Sequence, residues 1–376
     1  MTTIRKRLWT NAKGDEKQSW LVDYRDQSGK RRSKQFSRKK DAEAWQVGAA
    51  WQVSQGTHTA DSQSITIEQA GKLWIETVTL KGREATTIAA YDQHVRLHIN
   101  PLCGAVKLSR LTKPNVIAYR NQWMKDLSAP MASRVLKSLR MLIKDAQERG
   151  LVAQNVALGV TVDSGGRSRP QIVIPPKKAL AAILGHSGDD QALALHCLAI
   201  FAGLRASELR GLTWQAIDIS GAMVAVIQRA DAKNNIGPPK SQAGRRTIPL
   251  PNMALQALRK WKLACPPSPM DLVFPSPSGK VMSHPAMLQG ISGPVQIACG
   301  LKTPDGEKPL YGLHAFRHAC ASLWIEQNVS PKRIQTWMGH SSIQVTFDTY
   351  GHLFNQAEKD AGIADAVETA IFEDAT

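Results

Sequence analysis

Phe201-Ala-Gly-Leu-Arg205-Ala-Ser-Glu208-Leu-Arg-Gly211-Leu212 is the stretch on which the reading of this chain turns. It is an apolar helix end followed by an arginine and a capped turn. Upstream, Ala192 to Leu204 is the longest nearly apolar run. It is too short to span a bilayer and contains His196. Downstream, Ala222 to Gln228 and Arg245 to Leu250 are strand candidates, with a polar Gly/Pro loop from Arg229 to Gly244 between them. The remainder of this part reads as helices.

Four further clusters follow in order. Pro239-Lys240-Ser-Gln-Ala-Gly-Arg-Arg-Thr-Ile-Pro puts a lysine in a turn context. Leu313-His314-Ala-Phe-Arg317-His-Ala-Cys spaces a histidine and an arginine one helical turn apart. Trp337-Met-Gly-His340-Ser-Ser precedes Thr346-Phe-Asp-Thr-Tyr350-Gly-His. A lone His-x-x-Arg is common; five clusters in this order are not. Together they resemble the tyrosine recombinase (phage integrase) family, over about Ile172 to His352. Met338 stands where the family usually has Leu, a volume-conserving apolar exchange. The resemblance implies a multidomain fold: a small α+β N-terminal module, an all-α core-binding domain, and a mainly α catalytic domain with a small antiparallel sheet.

The side chains suit that chemistry. A phosphodiester can be cut if its charge is neutralised and both the attacking and leaving oxygens receive proton help. Arg205 and Arg317 are planar bidentate cations for the non-bridging oxygens. His340, just before a helix N-cap candidate at Ser341-Ser342, adds a donor there. By resemblance Lys240 is the general acid for the departing 5′-oxygen and Tyr350 the nucleophile. A phenol of pKa about 10 is roughly one part in a thousand ionised at pH 7, a cost of about 4 kcal/mol. Neighbouring cations and a proton acceptor must offset this, and His314 is the expected acceptor. Glu208 reads as a buttress of its turn, His318 and His352 as bystanders, and Trp324 and Trp337 as core. The product would be a 3′-phosphotyrosyl link that stores the bond energy, so rejoining needs no ATP. No phosphate-cradling Gly-x-x-x-x-Gly-Lys-Ser/Thr loop and no acidic metal cluster occur in the sequence, and no metal or other cofactor is expected.

Composition sets the wider frame. The 376 residues suffice for two or three domains, with 43 % apolar content. Five cysteines without metal-ligand spacing exclude a disulfide scaffold and a zinc module and suit a reducing cytosol. No secretion signal is visible after Met1, so a cytoplasmic location, nucleoid-associated when bound to DNA, is expected, with no membrane partner. The net charge is +17, spread as +7 over residues 1–58, +5 over 59–165 and +5 over 166–376. A long polyanion touching all three segments fits this spread.

Upstream of the motifs, three segments are expected, at 1–58, 64–160 and 172–376. In the first, Trp20, Val22 and Tyr24 alternate with Leu21, Asp23 and Arg25. A turn at Asp26–Gly29 then leads to a strand from Arg31 to Phe36, and Ser37 is an N-cap candidate for a helix. Arg31, Arg32 and Lys34 lie on that hairpin, and a two-stranded ribbon fits a DNA major groove. By resemblance this is an arm-type DNA-binding module. Residues 64–150 carry helical stripes: a Thr66/Gln69 capping box, a helix stopped at Asn100-Pro101, one opened by Thr112-Lys-Pro114, and one closed by Gly150. They suggest a helical DNA clamp. The polar stretches at 56–64 and 161–176 read as linkers.

After the nucleophile, Ile363, Val367, Ala370 and Ile371 make an apolar helical stripe in an acidic tail. It is expected to dock on a neighbouring subunit. The resemblance further implies double-stranded DNA attachment sites and a homotetramer on DNA, with a DNA-bending host factor and a directionality factor as optional partners. The expected function is integration or excision of a mobile element such as a prophage. Two rivals stay open: a catalytically silent DNA-binding regulator on the same fold, and a type IB topoisomerase-like relaxing enzyme.

Overall fold

The computed structural model describes residues 3–11, 14–25, 29–54, 64–163 and 173–354, with side chains from 49 to 54 left aside. The chain divides into two units, Met1–Ser168 and Arg169–Thr376. The apolar stripe of the tail and both expected linkers lie wholly or largely outside the described residues.

The first unit begins with an antiparallel sheet of β1 (Thr3–Thr10), β2 (Glu16–Arg25) and β3 (Arg31–Phe36), followed by α1 (Lys39–Ser54). Trp20 pairs with Phe36 and Val22 with Lys34. The alternation that predicted β2 points Trp20, Val22 and Tyr24 to one face. Trp45 of α1 packs there, its ring 5.1 Å from Tyr24 and 5.6 Å from Phe36. The helix starts one residue later than Ser37 suggested, with Ala42 N–H bonding Arg38 O at 3.3 Å. β1 has no counterpart in the sequence reading. Its burial pattern contains no buried residue, and its order comes from backbone pairing to β2.

The helices of this unit are α2 (Ile67–Leu80), α3 (Ala85–His94), α4 (Asn100–Cys103), α5 (Lys113–Asp126) and α6 (Ala129–Glu148). The Thr66/Gln69 capping box forms, at 3.2 and 2.9 Å. Thr112 caps α5. Gly150 closes α6 at φ +73°, with Leu151 N–H reaching back to Ala146 O at 2.9 Å. Asn100-Pro101 does not stop its helix. A π turn at Val95–Ile99 joins α3 to α4, and widening the ladder there lets the chain pass a proline that lacks an N–H. Trp74, Ile99, Val116, Leu136, Leu139 and Leu142 share one apolar core.

The second unit is built around α8 (Asp190–Phe201), which follows α7 (Lys177–His186) and is buried on nearly every side from Ala194 to Ile200. His196 in its middle stays neutral: burial pushes its pKa down to about 4, and Ser187 and Ser292 hydroxyls sit 2.9 and 3.0 Å from its two ring nitrogens. After α9 (Ala206–Arg210) comes an antiparallel sheet of β4 (Ile217–Asp218), β5 (Met223–Val226) and β8 (Arg246–Pro249), in that spatial order. β5 and β8 fall within the two strand candidates. Between them the expected loop contains a short hairpin, β6 (Arg229–Ala230) with β7 (Ile236–Gly237). Two residues per strand are too few for periodicity to register. Gly211 lets this hairpin close on α9, because a Cβ there would lie 2.8 Å from the Arg229 and Ala230 backbone.

Helices α10 (Asn252–Ala264), α11 (His284–Ala286), α12 (Gly293–Ala298), α13 (Leu313–Glu326), α14 (Pro331–Met338) and α15 (Ile343–Phe354) complete the unit. Leu195, Leu198, Val224, Ile248, Leu258 and Phe316 lie in its main core. Trp324 and Trp337 are half-buried and pack together at 5.0 Å. Among the described residues no helix is long and apolar enough to cross a membrane.

Candidate active site

Two arginines are set by backbone carbonyls. Arg317 on α13 is 2 % exposed; it donates to Gly203 O at 2.6 Å and to Met338 O. Burial, then Arg205, push its pKa down to about 9, which leaves it charged at neutral pH. Gly203 is required where it stands. Its φ is +59°, and a Cβ would crowd Cys320 Sγ and Met338 Cε at 3.1 Å each. Arg205 opens α9 and donates to Gly339 O at 3.1 Å. The left-handed Gly339 that ends α14 therefore presents its carbonyl to Arg205, next to His340.

Glu208 is the buttress the sequence suggested, and it carries more than its turn. Its carboxylate accepts from Arg205 N–H and Nη1, each at 2.8 Å, and from Arg246 at 2.9 and 2.8 Å. Burial raises its pKa, but the Arg246 hydrogen bonds and charge, then Arg205 and Arg317, outweigh this and hold it at about 2. Three guanidinium groups and one carboxylate thus leave a surplus of positive charge in a small, poorly solvated volume. That is the electrostatic character a pentavalent phosphorane needs.

His340 is half-buried, with Nδ1 2.9 Å from the buried Thr346 Oγ1. Burial, then Arg317, Arg205 and Arg246, push its pKa down to about 4, so it is a neutral imidazole at pH 7. A Thr346 hydroxyl donating to Nδ1 would leave a hydrogen on Nε2. Lys240 is exposed after β7 and lines a cleft of about 150 Å³ with Arg205, Ser207, Arg229 and Gly339.

Tyr350 sits on α15, 1 % exposed, beside Cys320, Ile334 and Met338. Its hydroxyl lies 2.8 Å from His318 Nδ1. Burial raises its pKa to about 12, although Arg317 and Arg205 oppose this. Burial, then His314 and Arg317, lower that of His318 to about 4. The phenol is therefore the donor and His318 the acceptor. The contact differs from the expectation: His318, read as a bystander, holds the Tyr350 hydroxyl, while His314 stands edge-on to His318 at 4.6 Å between ring centres. Burial, then Arg317 and Arg205, also lower the pKa of His314. The spacing of His314 and His318, four residues apart on one helix, was the signal that both share a face.

The structure does not place Arg31, Arg32 and Lys34 on one surface. Arg32 and Lys34 share the helix-facing parity of Phe36, and Lys34 Nζ lies 4.9 Å from the Trp45 ring. Arg31 is on the opposite face, 3.9 Å from Asp23, which also pairs with Arg5 at 2.9 Å.

Fold and site together define an arginine-rich phosphoryl-transfer centre with a buried tyrosine on the closing helix. Residues 176–357 match the family model described as phage integrase family. A tyrosine recombinase XerC-like protein of Caldanaerobacter subterraneus subsp. tengcongensis is 25 % identical over 90 % of this chain and 92 % of its own length. The Tn1549 transposon integrase, solved with transposon right end DNA, superposes with a TM-score of 0.67 at 18 % identity, over 81 % of this chain and all of that one. Lambda integrase, solved as a tetramer bound to a Holliday junction, gives 0.57 at 18 % identity, over 89 % of this chain and 95 % of that one. Residues 176–357 thus carry a phage integrase family domain, and the chain is a tyrosine-type site-specific recombinase.

Proposed function

We propose that this recombinase cuts and rejoins double-stranded DNA at attachment sites to integrate or excise a mobile element. The observation that carries the reading is the convergence of Arg205 and Arg317 on the Gly203 and Met338–Gly339 carbonyls, with Tyr350 on the adjoining helix. Arg205, Arg317 and the Nε2–H tautomer of His340 take the non-bridging oxygens. Their grip tightens as charge grows in the transition state, which is what lowers the barrier. A Tyr350 Oη–phosphorus bond forms while the phosphorus–O5′ bond breaks. The phenolic proton passes to His318, and Lys240 delivers a proton to O5′. The 3′-phosphotyrosyl link preserves the bond energy, and attack by a 5′-hydroxyl reverses the step.

In this reading residues 1–58 form the arm-type module, 64–160 the core-binding domain and 172–376 the catalytic domain. Four copies act on two DNA sites, a reading supported by the lambda integrase tetramer solved bound to a Holliday junction. A DNA-bending host factor and a directionality factor join the assembly where the site requires bending or a choice of direction. The acidic tail couples neighbouring subunits.

The test uses labelled duplexes from the flanks of the gene, nicked so that cleavage is trapped. Wild type should give a covalent protein–DNA band on a denaturing gel, and Tyr350→Phe none. Complexes on a native gel without any covalent band would instead support the silent regulator. Relaxation of plasmids lacking any flanking sequence would support the topoisomerase-like alternative.

A further inference from the structure

One buried cation lies inside the Lys240 cluster without a role assigned to it there. Arg246 opens β8, and its side chain is 1 % exposed. Nη1 and Nη2 donate to Glu208 Oε1 and Oε2 at 2.9 and 2.8 Å, fork to fork. Nε donates to Trp337 O at 2.5 Å, and Nη1 also to Gly244 O at 3.0 Å. One guanidinium therefore joins three pieces of chain: the turn after Arg205, the loop that follows Lys240, and the end of α14 just before His340. The fit is close. A Cβ on Gly339 would lie 3.0 Å from both Arg246 Nη1 and Ala243 O.

We propose that Arg246 is a positioning residue for strand transfer: it sets the Glu208 carboxylate that aims Arg205, and it clamps the Lys240 loop to the His340 turn. The inference rests on the recombinase reading above. Glu208 Oε1 is shared between Arg205 Nη1 and Arg246 Nη1, and Oε2 between Arg205 N–H and Arg246 Nη2. Removing one fork leaves the carboxylate free to follow the other, which swings Arg205 away from where phosphate charge must be met. A lysine keeps the charge of Arg246. It cannot serve two carboxylate oxygens and two carbonyls in one plane. A purely structural salt bridge would change stability alone. A positioning residue changes the chemical step, and only where there is phosphate charge for Arg205 to neutralise.

The experiment is single-turnover cleavage by the full chain of a bound, nicked flanking duplex. The position cleaved by wild type carries either the ordinary phosphate or a methylphosphonate, which lacks one ionised oxygen. Arg246→Lys should cleave the phosphate about 100-fold more slowly, with DNA affinity within about twofold of wild type. The defect should shrink to about threefold or less on the methylphosphonate. If Arg246→Lys does not fold, the charge-neutral pair Glu208→Gln with Arg246→Met replaces it under the same criteria, since exchanging a buried ion pair for neutral groups is compatible with stability. A folded variant that cleaves the phosphate within about threefold of wild type, or that loses the same factor on both substrates, overturns the proposal. If the wild type itself forms no Tyr350 adduct, the recombinase reading falls and takes this inference with it. If wild type reacts and the variants match it, the inference alone falls.

Discussion

The arginines at the two ends of this chain hold charge in opposite ways. Arg317 and Arg246 are almost wholly buried, and each is fixed by two or more hydrogen bonds to carbonyls or a carboxylate. In the N-terminal sheet, the Arg5 and Arg31 side chains are 65 % and 77 % exposed and share one acid, Asp23. A cation in the first setting is preorganised in low dielectric and acts on a single bond. One in the second setting is hydrated and screened, and it adds a small increment to a long contact. The same residue type should therefore give losses of very different size in the two places.

The largest loss tests the nucleophile. Tyr350→Phe keeps the buried ring and removes the oxygen proposed to attack, so covalent adduct should fall below detection, a loss of about 10⁴-fold or more. Any adduct would have to be mapped to another side chain, which would break the comparison at its centre. Arg317→Ala should come next, at about 10³-fold in the cleavage rate of bound DNA. A loss below about tenfold would mean that burial does not mark the important cations here. Lys240 sharpens the contrast, because it is exposed yet lines the same cleft as Arg205. Lys240→Met should slow cleavage about 100-fold through loss of proton delivery. A 5′-thio leaving group, which departs without a proton, should restore the rate. Failure of that rescue would assign Lys240 to phosphate binding instead.

What the sequence made legible follows the same division. Arg205, Lys240, His314, Arg317, His340 and Tyr350 could be singled out because each sits in a short local pattern. Arg246 could not, because its meaning lies in a carboxylate 38 positions away in the chain. The spacing of His314 and His318 marks a shared face, but the contact of His318 with Tyr350 depends on how α15 packs against α13, which lies outside any local pattern. Strand β1 was invisible for a related reason. Its own side chains have no buried face, so only its partner strand defines it. Pro101 looked like a stop because the π turn that accommodates it has no sequence mark. Local chemistry is legible in the sequence; long-range pairing is not.

The buried pair also sets acid stability. His196, His318 and His340 have folded pKa values lowered to about 4, so the unfolded chain binds protons that the folded one does not as pH falls below about 6.5. Glu208, held at about 2, acts in the same direction at lower pH. Its contribution is complete above the ordinary carboxylate range and is lost as pH falls toward 2, on the order of 2–3 kcal/mol. Melting temperature should therefore drop monotonically from pH 7 to pH 3. Glu208→Gln should flatten the part of the curve below about pH 4.5. An unchanged slope there would show that the carboxylate is not held by its arginines.

The smallest effect belongs to the N-terminal sheet, where face rather than charge should decide. Arg31 lies on the face opposite α1, whereas Lys34 rests over the Trp45 ring on the helix side. If the open face meets DNA phosphates, Arg31→Ala should weaken binding of arm-type duplexes a few-fold. It should also lower the slope of log affinity against log salt by about one, the signature of one lost phosphate contact. Lys34→Ala should leave that slope unchanged and instead lower the melting temperature, because it removes a cation from an aromatic face worth about 0.5–1 kcal/mol. The opposite pattern, a salt effect from Lys34 and none from Arg31, would mean that the helix side faces the nucleic acid. The exposed cations would then be solvating the sheet, and the contrast between the two ends of the chain would reduce to one of burial alone.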